Sequence, residues 1–370
     1  MTKKKLLFFT PLAGRTGSEM MLLYFFRYFD RQKFQVFLVS FQHGELLKEL
    51  PSDVQYFVIE KKYSLSEKIL FKLGTDAKQL AISKIQKKVN ADIWYMNTIT
   101  LPEILPLATK FGVKLITHFH ELPQSYAAIK YADLQAIITQ SNLLIGCASA
   151  TTESICNAGA QNAKNLHSFI DTNNIVSDEV RKTQLKQQLN IQQHQKVLVM
   201  SGTTDPRKGF DFLPEIAQLL NNKDIHLIWL GKKIDSGFTY FVENYCKNIH
   251  SETQVHILGA QKEDYYNYLA IADLFLLTSR EDPFPLVMIE AAFLGKPIIA
   301  FDSGGASEFI TPAVGHVVQN FDLPDFCNKI KETLQTQQLF SPIASKNRAL
   351  DFAVDKQVAT WQELISSVIE

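Results

Sequence analysis

The sequence predicts two successive doubly wound α/β domains, and three observations carry that expectation. Short, nearly continuous apolar runs recur with gaps of helical length, as buried parallel strands and their crossover helices require. The series of runs stops at a polar, turn-prone stretch and then restarts. The length, 370 residues, is too great for one typical domain and suits two.

In chain order, the first set of expected strands is residues 5–10, 34–41, 55–59, 92–96, 114–118 and 136–139. The second set is 196–201, 225–230, 255–258, 274–278 and 297–301, with 316–319 as an extension. Between the sets, Asp171-Thr-Asn-Asn-Ile-Val-Ser-Asp178 is the expected hinge. The domains are therefore placed at 1–172 and 173–350, with 351–370 a last helix packing back toward the first domain. Ligands in such sheets sit beyond the carboxyl ends of the strands, so chemistry is sought just after each strand and in a cleft between the domains.

Composition narrows the class. Hydrophobic residues make 46% and charged residues 21%, a globular and not a disordered balance. Basic and acidic groups number 38 each, which argues against a general nucleic-acid binder. No apolar run approaches the roughly 18 residues of a membrane span. The opening run, Leu6 to Phe9, falls short of the about 7–15 apolar residues of a secretory leader and is read as the first strand. Cys147, Cys156, Cys246 and Cys327 are scattered without a C-x-x-C, the usage of reduced thiols in a cytoplasmic protein.

The zero net charge hides an asymmetry. Residues 1–175 hold 20 basic and 14 acidic groups, and residues 176–370 hold 18 and 24. Lys61, Lys62, Lys68, Lys72, Lys78, Lys84, Lys87 and Lys88 supply much of the excess. They read either as a solvated helix face or as a surface for peripheral contact with an anionic membrane.

The most informative segment runs from Leu274 to Ala300. A strand ends at Thr278, a turn with Pro283 and Pro285 follows, and a helix is expected over about 286–294, closed by Gly295. The N–H groups that begin this helix suit an anion. Asp282 in the turn and Glu290 in the helix bracket that place. Ionised carboxylates there suit sugar hydroxyls, although a turn cap and an exposed helix residue are the plainer alternatives. Gly304-Gly305, after the next strand, permits close backbone approach. Arg207-Lys208-Gly209 puts two cations on a glycine turn before a helix, suited to a diphosphate leaving group. In the first half, Gly14 and Gly17 lie in a loop between strand and helix. His118 and His120 would share one strand face, as core histidines, supporting histidines or an H-x-H metal pair without a third ligand. There is no D-x-D, no P-loop, no G-x-G-x-x-G and no G-x-S-x-G.

Together these segments resemble the family-4, or group 1, retaining glycosyltransferases of the two-Rossmann GT-B fold, over nearly the whole chain. Asp282 and Glu290 are similar to the family's paired acids with seven residues between them, with Asp in the first position and Glu281 beside it. Gly304-Gly305 and Lys208-Gly209 resemble its glycine pair and its diphosphate turn. Where the family usually carries an Arg, this chain has Thr203, which leaves Arg207 or Arg280 as substitutes. Gly14-Arg-Thr-Gly-Ser-Glu19 looks like a glycine-acid loop, and His120-Glu-Leu-Pro123 like the site of a histidine that faces the sugar. Asn97-Thr98 and Phe169-Ile-Asp171 fit recurring positions.

The resemblance implies a cytoplasmic enzyme, without metal or other cofactor, that moves a sugar from a nucleotide diphosphate sugar to a glycan or lipid-linked acceptor with retention. His120, Asp282 and Glu290 would be catalytic. Gly17, Arg207, Lys208, Phe284, Pro285, Leu286 and Val287 would bind the donor with Glu290. Gly14, His118, Arg280, Glu281, Gly304 and Gly305 would support them. The alternatives are a non-catalytic partner subunit that binds sugar nucleotide and a nucleotide-sugar epimerase of the same fold.

Overall fold

A computed structural model describes residues 3–59, 76–336 and 340–369. The chain divides into two units, Met1–Phe169 with Val354–Glu370, and Ile170–Ala353. Lys61, Lys62, Lys68 and Lys72 lie outside the described residues.

Unit 1 is built on a seven-stranded sheet in the order β3-β2-β1-β4-β5-β6-β7. Its strands are β1 (Lys4–Thr10), β2 (Phe34–Ser40), β3 (Gln55–Val58), β4 (Ile93–Met96), β5 (Lys114–Phe119), β6 (Leu143–Gly146) and β7 (Ala163–Asn165). Every pairing is parallel, with Leu7 of β1 opposite Phe37 on one side and Trp94 on the other. Alternation along β1 shows why its run Leu6–Phe9 is apolar without a break. Leu6 and Phe8 enter one core layer, with Phe25, Phe26 and Trp361. Leu7 and Phe9 enter the opposite layer, with Trp94 and Ile104.

The helix Val354–Ser366 completes the first of these layers. Trp361 is fully buried, its ring 4.3 Å from Phe25, 5.7 Å from Tyr95 and 5.8 Å from Phe169. Gln362 accepts a hydrogen bond from the Asp30 backbone N–H.

Unit 2 carries a six-stranded parallel sheet in the order β10-β9-β8-β11-β12-β13. These strands are β8 (Lys196–Ser201), β9 (Ile225–Leu230), β10 (Gln254–Gly259), β11 (Leu274–Leu277), β12 (Ile298–Phe301) and β13 (Gly315–Val318). Leu198, Met200, Leu227 and Trp229 pack with Phe210 and Leu213 in its core.

Most expected strands are found within a residue or two of their reading, with one correction. Residues 136–139 lie in the helix Tyr131–Gln140, where only Ile137 is buried, and the strand is β6, Leu143–Gly146. Ala136, Ile137 and Ile138 are an apolar run flanked by Leu134, and a β-branched pair in so short a run does not separate a buried strand from the end of a helix. The three-residue β7 was too short to be legible.

Stretch 171–178 lies in unit 2. Asp171 caps the short turn Thr172–Asn174, and Asp178 caps the helix Glu179–Gln188. Among the described residues, no helix is long and apolar enough to cross a membrane.

Candidate active site

In a doubly wound sheet the strand order reverses beside the first strand, and the loops there splay apart to leave a crevice. Unit 2 reverses between β8 and β11, unit 1 between β1 and β4. The expected site residues of each unit cluster at its reversal.

After β8 the chain makes the turn Pro206–Lys208, where Asp205 accepts the Lys208 N–H at 3.1 Å. Gly209 ends the turn with φ of 71°, and a Cβ there would lie 2.1 Å from the carbonyl oxygen of Thr278. Only glycine lets this turn press against the end of β11.

After β11, Asp282 forms an isolated bridge with Gly304, its N–H bonding the Ser303 carbonyl at 2.8 Å. Gly305 sits where a Cβ would meet the Pro283 oxygen at 2.0 Å. Gly305 is thus required by the chain's own close approach and Gly304 by its φ of 132°, and together they lock the loops after β11 and β12.

This packing brings Lys208 and Asp282 into contact across 74 residues. The Lys208 ammonium pairs with Asp282 Oδ2, which also accepts the Ser279 hydroxyl at 3.1 Å. Asp282 is 6% exposed, so the pairing spares a buried carboxylate its isolation.

The two arginines differ. Arg207 is exposed and donates to the Glu281 carbonyl at 3.0 Å. Arg280 is held by Asp211 through two bonds of 2.7 Å, donates to the Pro206 carbonyl and stacks on Phe212 at 4.1 Å. Its guanidinium staples the two loops. Thr203 donates its hydroxyl to Asp205.

The helix Leu286–Phe293 begins at Pro285 with no side-chain cap. The first N–H groups of a helix have no partner within it and carry the positive end of its dipole. Phe284 is buried against Phe352 at 5.0 Å and Phe309 at 6.3 Å, so its ring anchors the turn. Glu281 is buried as well.

Glu290 is not the exposed helix residue of the plainer alternative: it is 7% exposed. Tyr265 donates to its Oε2 at 3.3 Å and Tyr266 to its Oε1 at 3.1 Å. Sequence reasoning missed both tyrosines. They open the helix Tyr265–Ile271, 24 and 25 residues from Glu290, and no local pattern marks them.

In unit 1, Gly17 is the first residue of the helix Gly17–Tyr28 and Gly14 lies in the loop before it. Thr16 and Glu19 form the capping box of that helix. Burial raises the Glu19 carboxyl, opposed by its bonds from Thr16.

Asn97, just past β4, donates to the Ser18 carbonyl at 3.1 Å, and its Oδ1 lies 3.0 Å from His120 Nε2. That amide orientation calls for the Nε2–H tautomer of His120. The Glu121 carboxylate accepts the His120 N–H at 2.8 Å and the Thr98 hydroxyl at 2.5 Å.

His118 is fully buried behind, hydrogen-bonded through Nδ1 to the Tyr95 hydroxyl at 2.9 Å, its ring 4.0 Å from that of His120. Burial pushes His118 well below the usual imidazole range and His120 down to about 3, so both rings are neutral. Among the described residues, no group of three or more His, Cys, Asp or Glu side chains is placed to hold a metal ion.

The family model of the glycosyl transferases group 1 matches residues 181–349. The chain is similar to N-acetyl-alpha-D-glucosaminyl L-malate synthase of Bacillus anthracis, 25% identical over 209 residues, 55% of this chain and 53% of that one. A GDP-mannose-dependent monoacylated alpha-(1-6)-phosphatidylinositol monomannoside mannosyltransferase of Corynebacterium glutamicum is 25% identical over 346 residues, 88% of this chain and 86% of its own. The match spans about half the length of the Bacillus protein and of others like it.

Among solved structures, Anabaena HepE in complex with UDP-glucose superposes with a TM-score of 0.84 at 20% identity, covering 98% of this chain and 99% of that one. Residues 181–349 thus carry the match to the glycosyl transferases group 1 model, in a chain whose fold is the two-Rossmann GT-B fold.

Proposed function

We propose that the chain is a metal-independent, retaining glycosyltransferase that moves a sugar from a nucleotide diphosphate sugar to a glycan or lipid-linked acceptor. The observation that carries the reading is the reversal point of unit 2. There Lys208 and the start of helix Leu286–Phe293 offer positive charge next to two buried carboxylates. The names of the similar proteins, which include nucleotide-sugar-dependent transferases, support it.

In this reading the diphosphate draws Lys208 away from Asp282, with Arg207 and the first N–H groups of the helix completing its partners. Asp282, relieved of its cation, accepts hydroxyls of the sugar being transferred, and Glu290 accepts the ribose diol. The bond from the anomeric carbon to the diphosphate oxygen breaks, and the acceptor oxygen bonds that carbon on the same face. The acceptor's proton passes to the departing diphosphate. Charge on the leaving group is stabilised by Lys208 and the helix dipole, which is the part a divalent cation plays elsewhere. His120 is assigned to the oxocarbenium-like transition state, for which a neutral ring costs nothing in repulsion.

We assign the enzyme to the cytoplasm, peripheral to an anionic membrane. Leu80, Lys84, Lys87 and Lys88 are exposed at helical spacing along Ala77–Val89, a basic stripe with an apolar member.

The test is to incubate the purified chain with a panel of nucleotide sugars, with and without excess EDTA. Release of nucleotide diphosphate in both conditions, and an α-linked product from an α-linked donor by NMR, are the expected results. Loss of turnover in EDTA with restoration by Mn²⁺ or Mg²⁺ overturns the metal-independent phosphate site. Interconverted sugar epimers, or binding without turnover, overturn the transfer reaction.

A further inference from the structure

Glu290 is addressed by two phenols, one to each carboxylate oxygen, from adjacent residues. The start of the helix that carries them is itself fixed. Asp264, at its N-cap, takes the Arg181 guanidinium through bonds of 2.7 and 2.6 Å and the Asn267 amide at 3.3 Å. The Tyr265 hydroxyl also lies 3.2 Å from Ser201 Oγ, at the end of β8, and the two rings meet edge to face at 5.3 Å. The terminal torsion of a glutamate is broad, so one donor lets the carboxylate turn, whereas two donors on two oxygens define its plane.

We propose that Tyr265 and Tyr266 are positioning residues that hold the Glu290 carboxylate in the plane that receives the nucleotide's ribose diol, and that they thereby set discrimination between ribonucleotide and deoxyribonucleotide donors. The proposal rests on the reading of Glu290 as the ribose acceptor and deepens it. Both phenols act through Glu290, so their effect is felt in ground-state binding of the nucleotide and equally in the transition state.

The experiment is calorimetric titration of the full chain with UDP, GDP and ADP, followed by the 2′,3′-dideoxy counterpart of whichever binds best. It is run on the wild type, Tyr265→Phe, Tyr266→Phe and Glu290→Gln. Tyr266→Phe, which removes the shorter bond, is expected to weaken the ribonucleotide about 5- to 20-fold, part of the cost of losing a charged acceptor. Tyr265→Phe is expected to act in the same direction and less. The dideoxy ligand, which has no diol to present, is expected to bind each variant like the wild type. KM for the sugar donor should rise by the same factor while kcat stays within about twofold.

Equal weakening of both ligands by the Tyr→Phe changes means that the phenols only support packing, and overturns the proposal. So does an unchanged ribonucleotide affinity in both Tyr→Phe variants when Glu290→Gln lowers it. If Glu290→Gln alters neither ligand, the ribose reading of Glu290 fails first and takes the positioning role with it.

Discussion

Both units reverse strand order beside their first strand and gather polar side chains at the reversal, yet the two gatherings are chemically opposite. Unit 2 presents a lysine paired with a buried aspartate beside a helix start. Unit 1 presents two imidazoles kept neutral by burial, one oriented by the amide of Asn97. Topology decides where a crevice forms, and the residues on the two or three adjoining loops decide what enters it. A charged pair suits a charged leaving group, while a neutral ring suits a group that passes through positive charge.

The sharpest way to break this contrast is to remove charge from unit 2 alone. Asp282→Asn keeps the shape and replaces the charged acceptor proposed for the transferred sugar with a neutral amide. Its kcat on the full donor is expected to fall about 100- to 1,000-fold, the range found when a transition-state contact is lost. Binding of the nucleotide diphosphate alone should not weaken by calorimetry, and should strengthen, because Lys208 no longer has to leave an ion pair with Asp282 to meet it. Equal loss for both ligands means that Asp282 does not read the sugar.

Glu290→Gln comes next. Affinity for donor and nucleotide diphosphate should fall together by about 10- to 100-fold, the worth of a hydrogen bond to a charged group. Unchanged binding removes Glu290 from the donor site.

Acid should act on the histidines of both units. His118, His120 (about 3), His226, His256 (about 4) and His316 are all lowered by burial. Below about pH 6.5 the unfolded chain takes up protons that the folded chain refuses, so stability should fall as pH drops from 6.5 toward 4. Histidine NMR should find His120 without a protonation step between pH 5 and 8, and thermal melts should fall through the acid range. A His120 midpoint near 6.5 would remove the neutral-ring half of the comparison.

The smallest effect is expected at the lysine stripe. Exchange of Lys84, Lys87 and Lys88 for Gln should weaken sedimentation with anionic vesicles at low salt by about a few-fold, the effect being screened as salt is added. Equal binding of wild type and variant makes the stripe a solvated face.

The strands of unit 2 were legible because β8 and β9 are largely apolar runs bounded by turns, and their ends coincide with the reading at Lys196–Ser201 and Ile225–Leu230. Strand β6 was not legible, since Leu143–Gly146 follows an equally apolar helix end with only two residues between. At the site, loops with glycine, proline and charge advertise themselves. Pairings do not: Lys208 with Asp282, Arg280 with Asp211 and the tyrosines with Glu290 join residues 24 to 74 positions apart, and only the fold brings them together. The sequence offers Arg207 or Arg280 as a substitute for the family's arginine but says nothing of Asp211 and the Pro206 carbonyl, which hold the Arg280 guanidinium in the structure.

Unit 1 is finished by a helix that the chain reaches only after all of unit 2. On a ribosome, which adds about 5–20 residues per second, Phe169 waits roughly 10–40 s for Val354. For that interval the faces of Phe25, Tyr95 and Phe169 that pack on Trp361 are bare. Unit 2 is one continuous stretch and suffers no such wait. Synthesis should therefore complete the second unit before the first, and the nascent first unit is the one left with exposed apolar surface. Pulse proteolysis of stalled nascent chains reads this order directly: chains stopped near residue 353 should protect 170–353 and lose 1–169.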